Sequence, residues 1–328
     1  MRFHPLDESG KFTVSADAVE AICRGWLGSA AGVDAAVELA GGLYNSTFRL
    51  ELDGREPVVL RIAPPATAQH PSERGLMRNE YASIPFLRPI APMMPTTLVA
   101  DFTHDVLDRD YLIQTYLPGV AAAQLLGDWP TEDHERFWNS LGTVLARIHS
   151  VRSDRFGRVV GPTHELWSRC LMSVLGDIAQ SCEAQALDAS DLREVALHVD
   201  RLSDTLDEIT SAHLLHGDLI PGNVMVDPHD PGAGVTGVFD CDRSWWGDPL
   251  ADWTFVFVDR LPQEQQHAFW DGYGHQRPEL PRERTRGLIY RARAMGEVRL
   301  EHARLGRSRQ LQKTYPIMAE LLHDIRAG

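Results

Sequence analysis

Lysine is nearly missing from this chain: of its 32 basic residues only Lys11 and Lys313 are lysines. Acidic residues number 46, so the formal net charge is −14. That balance argues against a nucleic-acid partner, whose phosphates want a basic surface. Cysteine is scarce as well. Cys23, Cys170, Cys182 and Cys241 show no C-x-x-C spacing, which excludes a dense disulfide framework and argues against structural zinc. No apolar run approaches the roughly 20 residues of a membrane span. The opening MRFHPLDESGKF has no basic segment followed by an apolar one. These absences predict a cytoplasmic protein that needs no membrane. Repeats, coiled-coil heptads and low-complexity tracts are missing too. What remains is ordinary globular material, 43% hydrophobic and 24% charged. A length of 328 residues suits a bilobal unit or two domains better than one small core.

The densest pattern lies at 213–253, HLLHGDLIPGNVMVDPHDPGAGVTGVFDCDRSWWGDPLADW. Short apolar runs, Leu214-Leu215 and Val224-Met225-Val226, flank a polar loop holding His216, Asp218 and Asn223. A third run, 235–239, delivers Asp240. Such spacing presents a few polar groups from a loop pinned on both sides by buried strands. Three oxygen-bearing side chains on one frame suit a hard cation and a substrate hydroxyl. Singly, each Asp or Asn reads as a turn residue; the joint spacing favours chemistry.

The order His216-x-Asp218-x-x-x-x-Asn223 copies the H-x-D-x-x-x-x-N catalytic loop of protein kinases, with Asp240 where their metal-binding Asp falls. Gly217, Pro221 and the later Gly247-Asp248-Pro249-x-x-Asp252 shift the likeness. With them the chain resembles the aminoglycoside phosphotransferase family of antibiotic and choline kinases, the hygromycin branch among them. The resemblance runs from Gly41 to about Phe257. It implies an α+β, bilobal protein-kinase-like fold. A small antiparallel-sheet N-lobe would span 1–117 and a mainly helical C-lobe 118–328. It implies a transferase that uses ATP, or GTP, with Mg2+ to phosphorylate a hydroxyl of a small molecule. An antibiotic is the first choice of acceptor: an aminoglycoside, or a macrolide, peptide or nucleoside antibiotic. A metabolic kinase for a sugar, choline, homoserine or methylthioribose is the alternative, and a nucleotide-binding pseudokinase the alternative of another class. A protein kinase fits less well, because no A-P-E motif follows Asp240 and the interval to Asp252 is too short for a long activation loop. Such an enzyme would act as a monomer or homodimer.

The resemblance also distributes roles. Asp218 would accept or orient the proton of the attacking hydroxyl, Asn223 and Asp240 would hold the metal ions, and His216 would brace the loop. Asp248 and Asp252 read as support, because they open the amphipathic run Leu250, Trp253, Phe257, where carboxylates cap a helix.

In chain order, residues 1–12 read as a loose arm. Ser15 is placed to cap a helix running to Leu27. Strands at 36–40 and 43–52 would meet at a Gly41-Gly42 turn, and GGLYNSTFRL resembles the family's nucleotide-covering hairpin, with Asn45 and Ser46 near phosphate. After an Asp53-Gly54 turn, PVVLRIA alternates, with Val58, Leu60 and Ile62 on one face and Arg61 on the other. Kinases carry lysine at this place. Arginine offers a permanent charge and a bidentate fork instead, and some hygromycin-type kinases share it. A helix from Ser72 through Arg88 supplies Glu80 as its partner, with Glu73 the rival. Strands at 96–102 and 111–117 end in Leu117-Pro118-Gly119, the hinge by resemblance, where the Thr115 carbonyl and Leu117 N–H would read adenine. Thr131 opens a long helix with an apolar stripe of Phe137, Trp138, Leu141, Leu145 and Ile148. Helices near 165–186, 191–209, 262–274, 282–305 and 309–326 complete the chain. Glu297, Glu301 and Asp271 are candidates for an acidic acceptor wall. The aromatics Trp245, Trp246, Trp253, Phe255, Trp270, Tyr273 and Tyr290 would either shape a pocket or pack the core.

Overall fold

Alternation of apolar residues builds the first part of the chain. The computed structural model describes residues 1–6, 12–28, 32–40, 42, 44–275 and 280–327. Within them β1 (Arg2–His4), β2 (Val33–Glu38), β3 (Ser46–Leu52), β4 (Val58–Ile62), β5 (Thr97–Asp101) and β6 (Tyr111–Thr115) form one sheet, ordered β1-β2-β3-β4-β6-β5. Val58, Leu60 and Ile62 bury one face with Phe48, Leu50 and Ile113, under Val19 and Ile22 of α1 (Ala16–Leu27). Ser15 caps α1, its Oγ accepting from the Ala18 N–H at 3.2 Å. The expected loose arm is corrected in part: β1 pairs parallel with β2, and Phe3 stacks on Phe48 at 5.7 Å. Gly41 of the expected turn lies outside the described residues.

The helix expected from Ser72 is also corrected. Only α2 (Leu76–Ser83) is α-helical, with 3-10 turns on either side. Gly75 is left-handed at φ 67°, a conformation open to glycine, and it ends the turn that carries Glu73. Beyond Ser83, Pro85, Pro89 and Pro92 remove the N–H donors that α-helix would need. Glu73 and Glu80 therefore do not share a helix face.

After the sheet, β7 (Val120–Ala121) pairs with β12 (Val224–Val226), which pairs with β13 (Gly237–Val238). A second sheet joins β8 (Arg152–Ser153), β9 (Phe156–Arg158), β10 (Thr163–His164), β11 (Ala212–Leu215) and β14 (Trp245–Gly247) in the order β10-β9-β14-β11-β8. The rest is helical: α3 (Thr131–His149), α4 (Trp167–Ala184), α5 (Ser190–Arg201), α6 (Ser203–Leu206), α7 (Trp253–Val258), α8 (Gln263–Tyr273), α9 (Pro281–Arg304) and α10 (Ser308–Ala327). The α3 stripe, the apolar residues of β11 and β12, and the tryptophans of β14 share one core. Strand ends on both sides of residues 216–223 are thus anchored in that core. Among the described residues no helix is long and apolar enough to cross a membrane.

Candidate active site

The site begins with parity on β4. Arg61 faces away from the sheet core yet is only 8% exposed, because Glu80 of α2 and Asp240 enclose it. Its Nη1 donates to both Glu80 oxygens, at 2.5 and 2.6 Å, and its Nη2 donates to Asp240 Oδ1. Burial alone would lower the guanidinium pKa; Glu80, Asp240 and Asp242 raise it, so the cation is permanent. The Glu80 carboxyl is raised by burial, against the pull of Arg61, and takes a further donor from Gln114 at 3.3 Å. A lysine would bring one ammonium where this fork reaches two carboxylates. The rival Glu73 instead ion-pairs with Arg304 of α9, and Arg304 lies over the Tyr44 ring.

Asp218 and Asn223 meet across the loop between β11 and β12. Asn223 Nδ2 donates to the Asp218 carbonyl at 2.8 Å and to Asp218 Oδ2 at 2.9 Å. Burial pushes the Asp218 carboxyl up to about 7; Arg243 opposes this and Asp240 adds to it. The Phe239 N–H donates to the Asn223 carbonyl at 3.1 Å, so Asp240 follows directly on the strand that Asn223 holds. Asp240 is left-handed at φ 62° and ψ 51°, a region that Asp tolerates better than most side chains. Strain of this kind persists where surrounding contacts enforce it.

Behind the loop stands Asp252. It is fully buried and accepts from the His216 N–H (2.9 Å), the Gly217 N–H (3.3 Å) and the Thr254 N–H (3.2 Å), with His149 Nε2 at 3.3 Å. Burial would raise its carboxyl, but the hydrogen bond and charge of His149, helped by His216 and Thr254, hold it at about 2. His216 Nδ1 accepts from the Asp218 N–H at 3.3 Å, and burial lowers its pKa, so a neutral ring braces the loop. Gly217 has φ 82°, and a Cβ there would lie 2.4 Å from the Arg243 carbonyl. Only glycine lets the two segments pass this closely. Asp248 reaches the other way, accepting from Arg286 Nε (2.9 Å) and Tyr290 Oη (2.6 Å) of α9.

Some expected contacts fall elsewhere. Ser46 pairs with Ile62 and donates its hydroxyl to the Phe12 carbonyl, whereas Thr47 sits opposite Arg61 and shares its face. Asn45 is buried, and its Oδ1 has no partner among the described residues. Thr115 ends β6 with its Oγ1 accepting from Thr96, and Leu117 follows at the turn toward β7. Glu297 accepts from Arg293 at 3.1 Å and is felt electrostatically at both Asp218 and Arg243. Glu301 lies one turn further along α9 and is half-buried. Asp271 is exposed on a hollow between α3, α8 and residues 232–234, among none of the groups just described. The aromatics pack mainly on one another, Phe255 on Trp270 at 5.0 Å and Trp167 on Trp245 at 5.2 Å.

Sequence reasoning passed over Asn79, Asp242, Arg243 and Arg158. Asn79 is fully buried and donates to the Asp242 and Ser244 carbonyls (2.9 and 2.7 Å), while its Oδ1 accepts from the Val160 N–H (2.8 Å). It thereby ties the helix bearing Glu80 to the segment that follows Asp240. Burial, with Asp240 close by, holds the Asp242 carboxyl well above the usual range. Asp242 was findable, since D-x-D repeats the acid two residues on. Asn79 was not, because its partners are over 80 residues away.

The donor set fits a magnesium ion. Among the described residues no three acidic, histidine or cysteine side chains form a protein-only cage. Magnesium commonly takes one or two carboxylates and completes its shell with phosphate oxygens and water. Asp240 with the Asn223 amide oxygen, whose nitrogen is already spent on Asp218, offers that arrangement.

Comparison with known proteins agrees with this geometry. The profile of the phosphotransferase enzyme family (APH) matches residues 35–287. No curated protein sequence matches. Among solved structures, a thermostable mutant of aminoglycoside phosphotransferase APH(4)-Ia, in ternary complex with AMP-PNP and hygromycin B, is 18% identical at a TM-score of 0.63, covering 93% of this chain and 98% of its own. Wild-type aminoglycoside 2′-phosphotransferase-IIIa with GDP is 14% identical at 0.64, with 95% and 99% covered. The GDP and kanamycin complex of APH(2″)-IIIa is 14% identical at 0.62, with 93% and 98% covered. An α+β, protein-kinase-like chain matched over this span belongs to the phosphotransferase enzyme family and is a phosphotransferase of the kinase type.

Proposed function

We propose that the protein transfers the terminal phosphate of ATP, or of GTP, to a hydroxyl of a small-molecule antibiotic in the cytoplasm. The observation that carries the reading is the junction of Arg61, Glu80 and Asp240 beside the Asn223–Asp218 pair. Phosphoryl transfer asks mainly for positioning and charge neutralisation. Arg61, on the interior strand β4, is held by Glu80 and Asp240, where it would meet nucleotide phosphate. Magnesium, held by Asn223 and Asp240, would neutralise charge on the phosphate oxygens. Asp218 has one oxygen on Asn223, and the other, without a partner among the described residues, would take the acceptor hydroxyl. With its carboxyl near 7 it takes a proton at neutral pH. His216, Asp252 and Gly217 fix the direction of that oxygen.

Antibiotics come first because the solved relatives hold hygromycin B and kanamycin. A metabolic small-molecule kinase is the second reading. It is favoured by Arg243 and Arg293, which set positive charge beside Glu297, where a polycation would otherwise dock. The test is mass spectrometry of antibiotics and metabolites incubated with enzyme, magnesium and ATP or GTP. A phosphate-sized gain with wild type and none with Asp218→Asn supports the reading. Nucleotide left unconsumed across the whole panel refutes it.

A further inference from the structure

Other buried or half-buried arginines in this fold keep at least one acceptor, even where one N–H is sealed without a partner, as at Arg109 Nη2 and Arg293 Nε. Arg61 holds two carboxylates, Arg286 holds Asp248, and Arg299 holds Asp191 with the Asp188 carbonyl. Two half-buried arginines break the pattern: Arg243, beside Asp218, and Arg158, beside Arg243. Neither side chain makes a hydrogen bond or ion pair among the described residues, and the Nη2 of Arg158 is sealed from solvent without an acceptor. A sealed N–H without a partner is costly, so such groups normally have one.

Their placement is specific. Arg158 stands opposite Trp245 in the β9–β14 pairing, two residues from Arg243. Arg243 runs against Gly217, next to Asp218. Each guanidinium lies within the electrostatic reach of Asp242, and Arg158 also within that of Arg243. Tyr44 is felt electrostatically at Arg158, and Glu297 of α9 at Arg243. Nearby acids balance the charge of Arg243, but its donors stay unspent. Guanidinium forks match the oxygens of phosphate and carboxylate.

We propose that Arg158 and Arg243 form a two-pronged anion site next to Asp218, for a phosphate or carboxylate group. The group has two sources: the phosphoryl being transferred, or an acidic substituent of the acceptor next to its hydroxyl. The inference rests on the kinase reading only for what Asp218 does. Acceptors that carry an acid are thereby favoured over wholly cationic ones.

The test is calorimetric titration of inorganic phosphate into the full chain at constant ionic strength. Wild type should show one saturable site. Arg158→Gln and Arg243→Gln should each weaken it about tenfold or more, and the double variant should abolish it. Arg24→Gln, an exposed charge on α1, should change nothing. Far-UV circular dichroism checks folding, and Arg158→Lys and Arg243→Lys, which keep the charge but lose the fork, replace any variant that fails to fold. Phosphate bound equally by all variants, or not at all by wild type, overturns the proposal. Saturating magnesium AMP-PNP separates the sources. If it displaces phosphate while magnesium ADP does not, the site holds the transferred group; if phosphate still binds, the site belongs to the acceptor. Arginine-dependent phosphate binding in a protein that consumes no nucleotide keeps this site and rejects the kinase reading. Turnover with arginine variants that bind phosphate like wild type does the reverse.

Discussion

Removing Arg61 tests the centre of the site. Glu80 is 4% exposed, and without Arg61 the one donor left to it among the described residues is Gln114, neutral and at 3.3 Å. Breaking a buried ion pair from one side leaves an uncompensated charge, which typically costs about 3–5 kcal/mol. Arg61→Ala should therefore lower the unfolding free energy by about that much, a large share of the roughly 5–15 kcal/mol of a native protein. Glu80→Ala should cost less, because Arg61 keeps Asp240. The double variant strands only Asp240, whose side chain is 33% exposed and open to water. It should be no worse than Arg61→Ala alone, giving a coupling of about 2–3 kcal/mol. Urea unfolding followed by tryptophan fluorescence measures all four corners. Additivity within about 0.5 kcal/mol would refute the pairing. The pH dependence supplies a second check. In Arg61→Ala the Glu80 carboxyl rises further above its unfolded value, so the penalty is absent below pH 4.5 and grows as the pH climbs.

Three further variants probe the same geometry. Asp218→Asn should cut turnover by about two to four powers of ten while nucleotide affinity, read by calorimetry, holds. The same variant should stabilise the metal-free protein, because a carboxyl raised from 3.8 to about 7 supports folding below 3.8 and loses that support as the pH rises through 7. The gain at pH 8 should be on the order of 2 kcal/mol after allowance for solvent, and vanish at pH 4. Asp252→Ala should cost about 3–5 kcal/mol by unpairing His149 and two loop amides, and wild type should lose stability as the pH falls from 3.8 through about 2; a flat acid limb in thermal melts would contradict this. Asn79→Ala should orphan two carbonyls and one N–H at about 1–3 kcal/mol each, and crystals of the variant should show Glu80 displaced from Arg61.

The loop at 216–223 was legible because its polar residues are neighbours in the sequence. His216, Asp218 and Asn223 lie within eight residues, between strands whose apolar runs announce themselves. Arg61 was legible from parity, since alternation on β4 turns it from the core. The break at Gly75 was hidden by apolar spacing that would suit one continuous helix, so Glu73 looked equivalent to Glu80. Ser46 shows a subtler limit. Which face a hairpin residue takes depends on register with β4, and one position separates it from Thr47. Arg158 and Arg243 carried no signal at all, since a missing partner is visible only in three dimensions.

Asn79 changes how α2 should be regarded. Sequence order assigns that helix to the upper part of the molecule, yet its three hydrogen bonds fasten it to the segment after Asp240 and to Val160. A movement of the sheet away from that segment would load the Asn79 bonds together with the Arg61 contacts to Glu80 and Asp240, so α2 couples the one to the other.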